Sequence, residues 1–355
     1  MAAPLVTVLI DTYNHERFIE EALVSVLEQD FPSAETEILV VDDGSTDRTP
    51  EIVRKFQPRV RLIRKENGGQ ASAFNAGIPE ARGEIVSFLD GDDWWARNKL
   101  TRVVETITAD PSLGIVGNGI VIVHVDGSKE REVLREHFRF QASTVEGARL
   151  FRLRKSFLGT SRMTIRRSLL QRIGPVPEIL RIEADEYLFT LAAVLMQAQV
   201  LPDAVTYYRY HDANGFQIST ANPVGLHKKQ IVLDSLARQL AMEMDRYEID
   251  PRCIRMIAES VQTEADQIRL TLGEGTSFET FGTEWNIYKV QCPSATAFYR
   301  MFKVLSLVPS LVLPPKTFYR LRGRLVAWSL YQSARKHFLP HPKRRHVDNT
   351  WGSQL

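Results

Sequence analysis

Cysteine is scarce in this sequence of 355 residues. Its two cysteines, Cys253 and Cys292, lie far apart and have no metal-ligand spacing, which argues against a disulfide framework and a cysteine-bound metal. The first residues also lack a basic segment followed by an apolar stretch and a cleavage site, the three parts of a secretion signal. We therefore expect an unsecreted, cytoplasmic protein in a reducing compartment.

An excess of one charge and a long apolar run are also missing. Lys and Arg number 45 against 43 Asp and Glu, and the net charge of +2 gives no global indication of nucleic-acid binding. A very apolar stretch, residues 302–315, is interrupted by Pro309 and ends at Pro314 and Pro315. It is shorter than the roughly 20 residues that a membrane-spanning helix needs. No transmembrane segment is predicted there.

Two nucleotide-binding motifs are absent as well. No Gly-x-Gly-x-x-Gly follows the first predicted strand, and no glycine-rich phosphate loop ends in Gly-Lys-Ser or Gly-Lys-Thr. These absences disfavour a dinucleotide-dependent dehydrogenase and a P-loop nucleotidase.

What is present is an alternation of strands and helices. Apolar runs at residues 5–10, 38–41, 60–63 and 85–89 predict buried strands, and apolar residues at helical spacing follow the first three of them. This alternation predicts an α/β fold with a mainly parallel sheet and right-handed crossovers.

Each of these four strands ends in polar or glycine-rich residues. Because the carboxyl ends of parallel strands meet at one edge of a sheet, where open α/β sheets bind ligands, we expect the four loops to form one site. The loops are Asp11 to Asn14, Asp42 and Asp43, Asn67 to Gln70, and Asp90 to Asp93.

The fourth loop places three carboxylates around one glycine, in Asp90-Gly91-Asp92-Asp93. Carboxylates this close repel one another, so their ionisation is costly unless a cation binds them. Their hard oxygen atoms suit Mg²⁺ or Mn²⁺. Alone, the segment also suits an ordinary solvated turn, since Asp and Gly are common turn residues. Its convergence with three other polar loops favours the ligand site.

Together and in this order, these motifs resemble glycosyltransferase family 2, whose members are inverting, nucleotide-sugar-dependent enzymes of the GT-A fold. The resemblance is close up to about residue 110 and looser up to about residue 220. It is carried by Asp11-Thr12-Tyr13-Asn14, Asp42-Asp43-Gly44-Ser45, Asn67-Gly68-Gly69 with Asn75-Ala76-Gly77, and Asp90-Gly91-Asp92-Asp93.

The resemblance implies a nucleotide site at this edge of the sheet. Tyr13 and Asp43 would hold the nucleobase, with Asp11 at the mouth of the same pocket. A base needs a flat face and an acceptor for its N–H groups, which an aromatic ring and a carboxylate supply. The other nucleotide-binding positions implied are Asn67, Gly69, Gly91 and Asp90, the last of which would contact the ribose.

The resemblance also implies a divalent cation, Mg²⁺ or Mn²⁺, that bridges the diphosphate. Asp92 would bind this cation, whereas Asp93 is interpreted as structural. His211 lies in a segment similar to the family's Tyr-Arg-x-His-x-x-Asn, which here runs to Asn214, and would lie beside the metal or diphosphate. Arg209 of the same segment can pair with phosphate. A lone histidine after a strand is also commonly structural, so both interpretations of His211 stay open.

A second acidic motif, Asp185-Glu186, precedes a helical pattern. Inverting transfer needs one carboxylate to accept the proton of the attacking hydroxyl. Family members carry this base in an acidic pair before such a helix, although many have Glu-Asp rather than Asp-Glu. We favour Asp185, which lies nearer the loop, and keep Glu186 as the alternative. Without the first motif, a charge cluster at a helix N-terminus would be the preferred interpretation.

Beyond residue 222 the pattern changes to long helices at 224–247 and 252–272. We therefore divide the chain into a catalytic domain, residues 1–220, and a helical C-terminal region, residues 221–355, which packs against the catalytic domain or against a partner subunit in a homo-oligomer.

The end of the chain is rich in basic and aromatic residues. They suit either a peripheral helix on the cytoplasmic face of a membrane or an ordinary solvated helix with a basic tail, and both stay open. The residues are Lys316, Phe318, Tyr319, Arg320, Arg322, Arg324, Trp328, Tyr331, Lys336, Phe338, Lys343, Arg344 and Arg345.

These observations predict an inverting, metal-dependent glycosyltransferase. It would move a sugar from a nucleotide-diphosphate sugar to a hydroxyl of a glycan or lipid-linked acceptor in cell-surface polysaccharide assembly. One alternative is a sugar-phosphate nucleotidyltransferase, although the loop after the first strand lacks the expected glycine-rich basic sequence. Another is a non-catalytic nucleotide-sugar-binding module. A processive synthase is disfavoured because no Gln-x-x-Arg-Trp segment is present.

Overall fold

The computed structural model describes residues 4–132, 134, 136–211, 222–291 and 297–327. Among these residues the chain forms two compact units. The first contains residues 4–143 and 154–211, and the second contains residues 144–153 and 222–327. The predicted domain boundary near residue 220 lies outside the described residues.

The strands of the described residues all belong to the first unit. They are β1 (Val6–Thr12), β2 (Thr36–Asp42), β3 (Val60–Arg64), β4 (Ile85–Asp90), β5 (Trp94–Trp95), β6 (Leu113–Val123), β7 (Lys129–Glu132), β8 (Phe138–Phe140), β9 (Thr164–Arg166) and β10 (Gln197–Arg209).

The helices are spread over both units. They are α1 (Ile19–Leu27), α2 (Thr49–Arg54), α3 (Gln70–Gly77), α4 (Lys99–Ala109), α5 (Val145–Arg154), α6 (Arg167–Ile173), α7 (Ala184–Leu195), α8 (Pro223–Arg246), α9 (Pro251–Leu272), α10 (Ser277–Gln291), α11 (Ala297–Val312) and α12 (Pro315–Ala327). Helices α5 and α8 to α12 belong to the second unit, except that Arg154 is assigned to the first.

The strands form one mixed sheet in the order β3-β2-β1-β4-β9-β6-β10-β5, with β7 beside β6 and β8 beside β10. Strands β1 to β4 pair in parallel, as predicted. Strand β9 runs antiparallel between β4 and β6, and β6 pairs in parallel with β10. The α/β class predicted from the alternation of strands and helices is confirmed.

The parallel half of the sheet is buried because its strands are continuous apolar runs. Val8 and Ile10 of β1, Val40 of β2 and Leu89 of β4 are buried in one core cluster. Helix α1 contributes to this cluster with Ile19, Ala22, Leu23 and Val26, which recur at helical spacing. Polar residues begin where these apolar strands end.

One prediction about the sheet is wrong. The Gly117-Asn118-Gly119 segment divides residues 113–125 into two strands in the sequence interpretation, but the structure has the single strand β6. A Cβ at Gly117 would lie 2.2 Å from the Phe157 carbonyl oxygen, so the backbones approach too closely for a side chain. Asn118 is buried and accepts a 3.0 Å hydrogen bond from Lys99 Nζ. The glycine allows the strand to pack closely against the neighbouring backbone, and the chain does not turn there.

The second unit contains the long helices that were predicted. Asn222 caps α8 by accepting a 2.9 Å bond from Gly225 N–H, and Asp250 caps α9 through Arg252 N–H at 2.8 Å. Gly273 ends α9 with a φ of 96°, a left-handed conformation that favours glycine. No helix of the described residues combines the length and apolar character needed to cross a membrane.

Two aromatic residues considered for a membrane-surface helix lie in the interior of this unit. Phe318 and Tyr319 of α12 are buried and pack with Leu270 of α9. Arg322 of the same helix forms an ion pair with Glu284. The side chain of Arg324 and all of Trp328, Tyr331, Lys336, Phe338, Lys343, Arg344 and Arg345 lie outside the described residues.

Candidate functional site

The register of the sheet brings the four predicted loops together. Asp11, near the end of β1, lies beside Asp90 of β4 on one side and Val41 of β2 on the other. Asp43 follows β2, and its backbone N–H donates a 2.9 Å bond to the Thr12 carbonyl. The Asn67–Gln70 loop is tied to the same place by hydrogen bonds to the carboxylate of Asp43. Loops that are far apart in the sequence thus lie together at the carboxyl ends of β1, β2 and β4.

Three carboxylates cluster at the end of β4. Oxygen atoms of Asp90, Asp92 and Asp93 lie within 4.8 Å of one another. Burial raises the pKa of Asp90 and of Asp93 well above the usual range, and the charges of Asp11 and Asp92, respectively, raise them further. Burial is the larger cause, and the neighbouring carboxylates add to it because like charges disfavour ionisation.

Asp11 extends this cluster from β1. Burial, followed by the charge of Asp92, raises the pKa of Asp11 to about 8. Its Oδ1 atom is buried and has no hydrogen-bond partner among the described residues. A buried acceptor without a donor is costly unless a ligand, an ion or water satisfies it. Several hard oxygen ligands and an unsatisfied acceptor therefore fit a divalent cation such as Mg²⁺ or Mn²⁺.

Two histidines contact Asp92. His211 Nε2 lies 3.0 Å from Asp92 Oδ2, and His15 Nε2 lies 3.8 Å from the same atom. Burial acts to raise the pKa of Asp92, but the hydrogen bond with His211 and the charges of both histidines lower it. The structure therefore brings together Asp92 and His211, the two predicted metal ligands. His15 was not singled out in the sequence, although it directly follows the first polar loop.

Gly91 makes this arrangement possible. A Cβ at Gly91 would lie 2.6 Å from Thr12 Oγ1 and 2.8 Å from His15 Nδ1, both closer than real Cβ contacts allow. Its backbone N–H donates a 2.9 Å hydrogen bond to the Asp11 carbonyl. A residue without a side chain is thus needed where the β4 loop crosses the end of β1.

Asp43 has a different environment from the β4 carboxylates. It is buried, and its oxygen atoms accept hydrogen bonds from Lys65 Nζ at 2.8 Å, Gly68 N–H at 3.0 Å and Gly69 N–H at 2.7 Å. The carboxylate thereby fixes the Asn67–Gln70 loop. Its predicted contact with a nucleobase stays a prediction, and such a contact would use the acceptor capacity that these three donors leave.

The other predicted nucleotide-binding residues surround Asp43. Tyr13 is 43% exposed, so its ring face is accessible. Asn67 Oδ1 accepts a 2.7 Å hydrogen bond from Arg181. Gly69 has a φ of 87°, and a Cβ there would lie 2.7 Å from the Arg181 carbonyl oxygen. Tyr13 is available for stacking, whereas Asn67 and Gly69 hold the loop against the segment that precedes α7.

Arg209 is bound within the protein. Its guanidinium lies 4.4 Å from the Trp94 ring and 4.7 Å from the Phe18 ring. It donates hydrogen bonds to the Asp92 carbonyl and to Glu21, while its backbone N–H donates to Asp93 Oδ1 at 2.9 Å. A phosphate contact from Arg209 would require exchange of these bonds. Asn214, the last residue of this predicted motif, lies outside the described residues.

Asp185 and Glu186 begin α7 and have different partners. Asp185 Oδ2 accepts hydrogen bonds from Thr160 N–H at 3.1 Å and from Thr160 Oγ1 at 3.0 Å. Burial raises the pKa of Asp185. Glu186 is buried and forms an ion pair with Lys155. Glu183, the residue before α7, has a φ of 63°, a strained conformation for a non-glycine residue at the point where the chain enters the helix.

The two acidic regions lie within electrostatic reach of one another. After burial and the charge of Asp92, the charge of Asp185 also contributes to the raised pKa of Asp11. The arrangement therefore combines a cluster of carboxylates, an exposed tyrosine and a partly buried carboxylate near the ends of the strands. Such a set can bind a nucleotide diphosphate and accept a proton beside it.

Residues 7–174 match the family model described as glycosyl transferase family 2. Residues 7–174 are therefore a glycosyltransferase family 2 domain. An uncharacterized glycosyltransferase of Nostoc sp. is 34% identical over 224 residues, which cover 59% of this chain and 66% of the relative. The poly(ribitol-phosphate) β-N-acetylglucosaminyltransferase TarS of Staphylococcus aureus is 32% identical over 209 residues, which cover 57% of this chain and 35% of TarS. The chain thus matches less than two thirds of either relative.

Solved structures establish the fold of the family 2 domain as GT-A. Residues 1–349 of S. aureus TarS in complex with UDP align with a TM-score of 0.51 at 21% identity, covering 89% of this chain and 91% of that one. The mannosyltransferase PcManGT from Pyrobaculum calidifontis, in complex with GDP-Man and Mn²⁺, aligns with a TM-score of 0.53 at 22% identity, covering 94% and 84%. The predicted family and the predicted GT-A fold are confirmed.

Proposed function

We propose that this chain is an inverting glycosyltransferase that moves a sugar from a nucleotide-diphosphate sugar to a hydroxyl of a glycan or lipid-linked acceptor in cell-surface polysaccharide assembly. One observation carries the proposal: Thr160 donates to Asp185 and the next residue, Ser161, donates to Asp90 at 3.3 Å, so one short segment links the cluster of Asp90, Asp92 and Asp93 to Asp185. Two solved structures of the same fold, TarS with UDP-GlcNAc and PcManGT with GDP-Man and Mn²⁺, support a nucleotide-sugar donor.

The donor would bind along the ends of β1, β2 and β4. Tyr13 would stack on the nucleobase, Asp43 and Asp11 would accept its N–H groups, and Asp90 would contact the ribose. Asp92 and His211 would hold a Mg²⁺ or Mn²⁺ ion, with Asp90 and Asp93 alongside. When bound, such an ion stabilises the negative charge that gathers on the diphosphate leaving group.

The acceptor would react beside Asp185. Its hydroxyl oxygen forms a bond to the anomeric carbon while the bond from that carbon to the diphosphate breaks on the opposite face, which inverts the configuration. Asp185 accepts the hydroxyl proton. Three donors already occupy its oxygen atoms, and a carboxylate has about four acceptor positions, so one position is left for the acceptor. Glu186 is less suitable because Lys155 binds its carboxylate.

A donor panel tests this function. The protein is incubated with UDP- and GDP-sugars, Mn²⁺ and mixed glycan or lipid-linked acceptors, and release of nucleoside diphosphate and formation of the β or α product are measured. An inverting transferase releases the diphosphate and inverts the anomeric configuration. Synthesis of a nucleotide sugar from a nucleoside triphosphate and a sugar phosphate would identify a nucleotidyltransferase instead. Binding without turnover of any donor would indicate a non-catalytic module.

A separate feature of the second unit favours a membrane-bound acceptor. Helix α11 has an exposed apolar stripe at helical spacing, which comprises Met301, Val304, Leu305, Val308, Leu311 and Val312. Every Asp, Glu, Lys or Arg between Glu284 and Asp348 is Lys or Arg. Two copies of so basic a region repel each other, whereas anionic headgroups neutralise it. We therefore propose that this stripe contacts the surface of an anionic membrane, as an interfacial helix does.

Vesicle sedimentation tests the membrane contact. The protein is mixed with phosphatidylcholine vesicles that contain or lack phosphatidylglycerol, at low and high salt. We expect binding to the anionic vesicles that weakens with salt and is lost in Leu305→Gln/Val308→Gln. Met242→Gln, which changes a singly exposed residue of α8, is the matched control. A doubled molecular mass in solution without vesicle binding would assign the stripe to a second copy and overturn the proposal.

A further inference from the structure

A hydrogen-bond chain connects the donor side of the site with Asp185. Gln70, the first residue of α3, donates from Nε2 to Thr160 Oγ1 at 3.1 Å, and Thr160 Oγ1 lies 3.0 Å from Asp185 Oδ2. The Oε1 atom of Gln70 accepts a 3.1 Å bond from Ala184 N–H, one residue before Asp185. The side chain of Gln70 thus binds both the Thr160 hydroxyl, which contacts Asp185, and the backbone N–H of the residue before Asp185.

The direction of every bond in this chain is fixed. The Ala184 backbone N–H can only donate, so Oε1 of Gln70 must face it and Nε2 must face Thr160. Because the Thr160 oxygen accepts from Gln70, its hydroxyl proton is directed to Asp185. Thr160 N–H donates to the same carboxylate oxygen at 3.1 Å. Asp185 therefore receives two donors on Oδ2 in a predetermined orientation.

The same chain is anchored to the predicted nucleotide loop. Gln70 N–H donates to the Arg181 carbonyl at 2.9 Å, and Arg181 donates to Asn67 Oδ1 at 2.7 Å. The preceding residue, Gly69, donates to Asp43. The loop that Asp43 fixes on the donor side is therefore the loop that supports Thr160 and Asp185.

We infer that Gln70 and Thr160 are positioning residues that hold Asp185 in the orientation and ionisation state of a general base, an inference that rests on the proposed function. A hydrogen-bond donor to a carboxylate favours its ionised form and lowers its pKa. The two Thr160 donors therefore counteract burial, which raises the pKa of Asp185. Other charges nearby are those of Asp11 and Asp90, and of the adjacent Glu186 with its partner Lys155.

Substitutions at Thr160 test the inference. Thr160→Val removes the hydroxyl at nearly constant volume, and Thr160→Ser retains it. We expect Thr160→Val to lower kcat by about tenfold to a hundredfold, the usual effect of one hydrogen bond to a charged group, and to move the acidic limb of the kcat/KM profile to higher pH. Donor KM and stabilisation by UDP should stay unchanged, and Thr160→Ser should restore most of the rate. Gln70→Glu should act like Thr160→Val because a carboxylate cannot donate to Thr160.

The rates are measured as release of nucleoside diphosphate from UDP-N-acetylglucosamine and GDP-mannose, beside melting curves with UDP. Thr190→Val is the matched control, since Thr190 is a buried threonine of α7 whose Oγ1 has no hydrogen-bond partner among the described residues. Wild-type kcat and pH profile in Thr160→Val, with Asp185→Asn inactive, would overturn the positioning role and leave the proposed function standing. An active Asp185→Asn would overturn both. Parallel loss of kcat and UDP stabilisation, without rescue by Thr160→Ser, would reduce Thr160 to a structural residue.

Discussion

The loop after β2 and the loop after β4 are both acidic, but the protein treats their carboxylates differently. Asp43 receives Lys65 and two backbone N–H groups, so its charge is satisfied within the chain. Asp90 and Asp93 lie among other carboxylates, and their pKa values are raised by burial and by their neighbours. The carboxylate of the first loop is neutralised within the chain, whereas we propose that the second loop binds a cation.

This difference separates two roles that the sequence motifs alone present alike. An acid whose donors come from the chain acts mainly on the shape of the site. The β4 carboxylates also have partners in the chain, such as Arg209 N–H for Asp93 and His211 for Asp92, but they lie close to one another, and such crowding favours a bound cation. Substitutions in the β4 loop should therefore change activity, whereas substitutions at Asp43 should change stability as well as nucleotide affinity. The predicted effects are given from the largest to the smallest.

The largest effect is expected at Asp92. Asp92→Asn preserves the size of the side chain but removes the charge that would hold the cation with His211. Transfer, measured as donor-dependent product formation, should fall to background while circular dichroism stays that of the wild type. Asp126→Asn, in an exposed turn where this carboxylate accepts a hydrogen bond from Ser128 N–H, is the control. Full activity of the wild type in the presence of a chelator would contradict the assignment.

The next effect concerns the acidic pair at α7. Asp185→Asn should lower kcat by about 10²–10⁴-fold, the usual contribution of a general base, with nearly unchanged donor KM. Glu186→Gln should change the rate little and lower the melting temperature instead, because it removes the charge that binds Lys155. If Glu186→Gln is the inactive variant, the general base is Glu186 and not Asp185.

The pH dependence of the wild type follows from the same site. Burial raises the pKa of Asp185, and a general base works only when ionised. The acidic limb of kcat/KM should therefore lie at higher pH than for an ordinary aspartate, and it should be absent from the residual activity of Asp185→Asn. A limb that persists unchanged in that variant would assign the titration to another group.

A smaller effect is expected at Asp43. Asp43→Ala leaves Lys65 and the N–H groups of Gly68 and Gly69 without their acceptor, which should lower the free energy of unfolding by about 1–3 kcal/mol. Nucleotide affinity should fall as well because the loop is released, whether or not Asp43 touches the base. Denaturant unfolding and UDP titration measure the two changes. Loss of affinity with unchanged stability would indicate a direct contact and would weaken the comparison drawn above.

Most of the catalytic domain could be predicted because its signals are local. Continuous apolar runs identify buried strands, and polar residues at their ends identify the edge where Asp11, Asp43 and Asp92 meet. The β6 strand was misjudged because Gly117 and Gly119 suit both a turn and close backbone packing, and the sequence does not distinguish the two.

The missed site residues have no such local signal. Thr160 is an ordinary polar residue, and Gln70 closes the predicted Asn67–Gln70 loop without any sign of its contact with Thr160. Both are linked to Asp185 by contacts between positions 25 to 114 residues apart, at the starts of α3 and α7. His15 lies beside Asp92 because the parallel register sets the end of β1 beside the end of β4.

Nucleotide binding in the presence and absence of Mn²⁺ tests the central claim most directly. Melting temperatures of the wild type and of Asp92→Asn are measured with UDP and with GDP, each with Mn²⁺ or with a chelator, because a ligand that binds only the folded state raises its stability. We expect at least one nucleotide to stabilise the wild type more with Mn²⁺ than without it, and this difference to disappear in Asp92→Asn. An equal shift with and without Mn²⁺, or a Mn²⁺-dependent shift retained in Asp92→Asn, would contradict the assignment of the β4 carboxylates as the cation site.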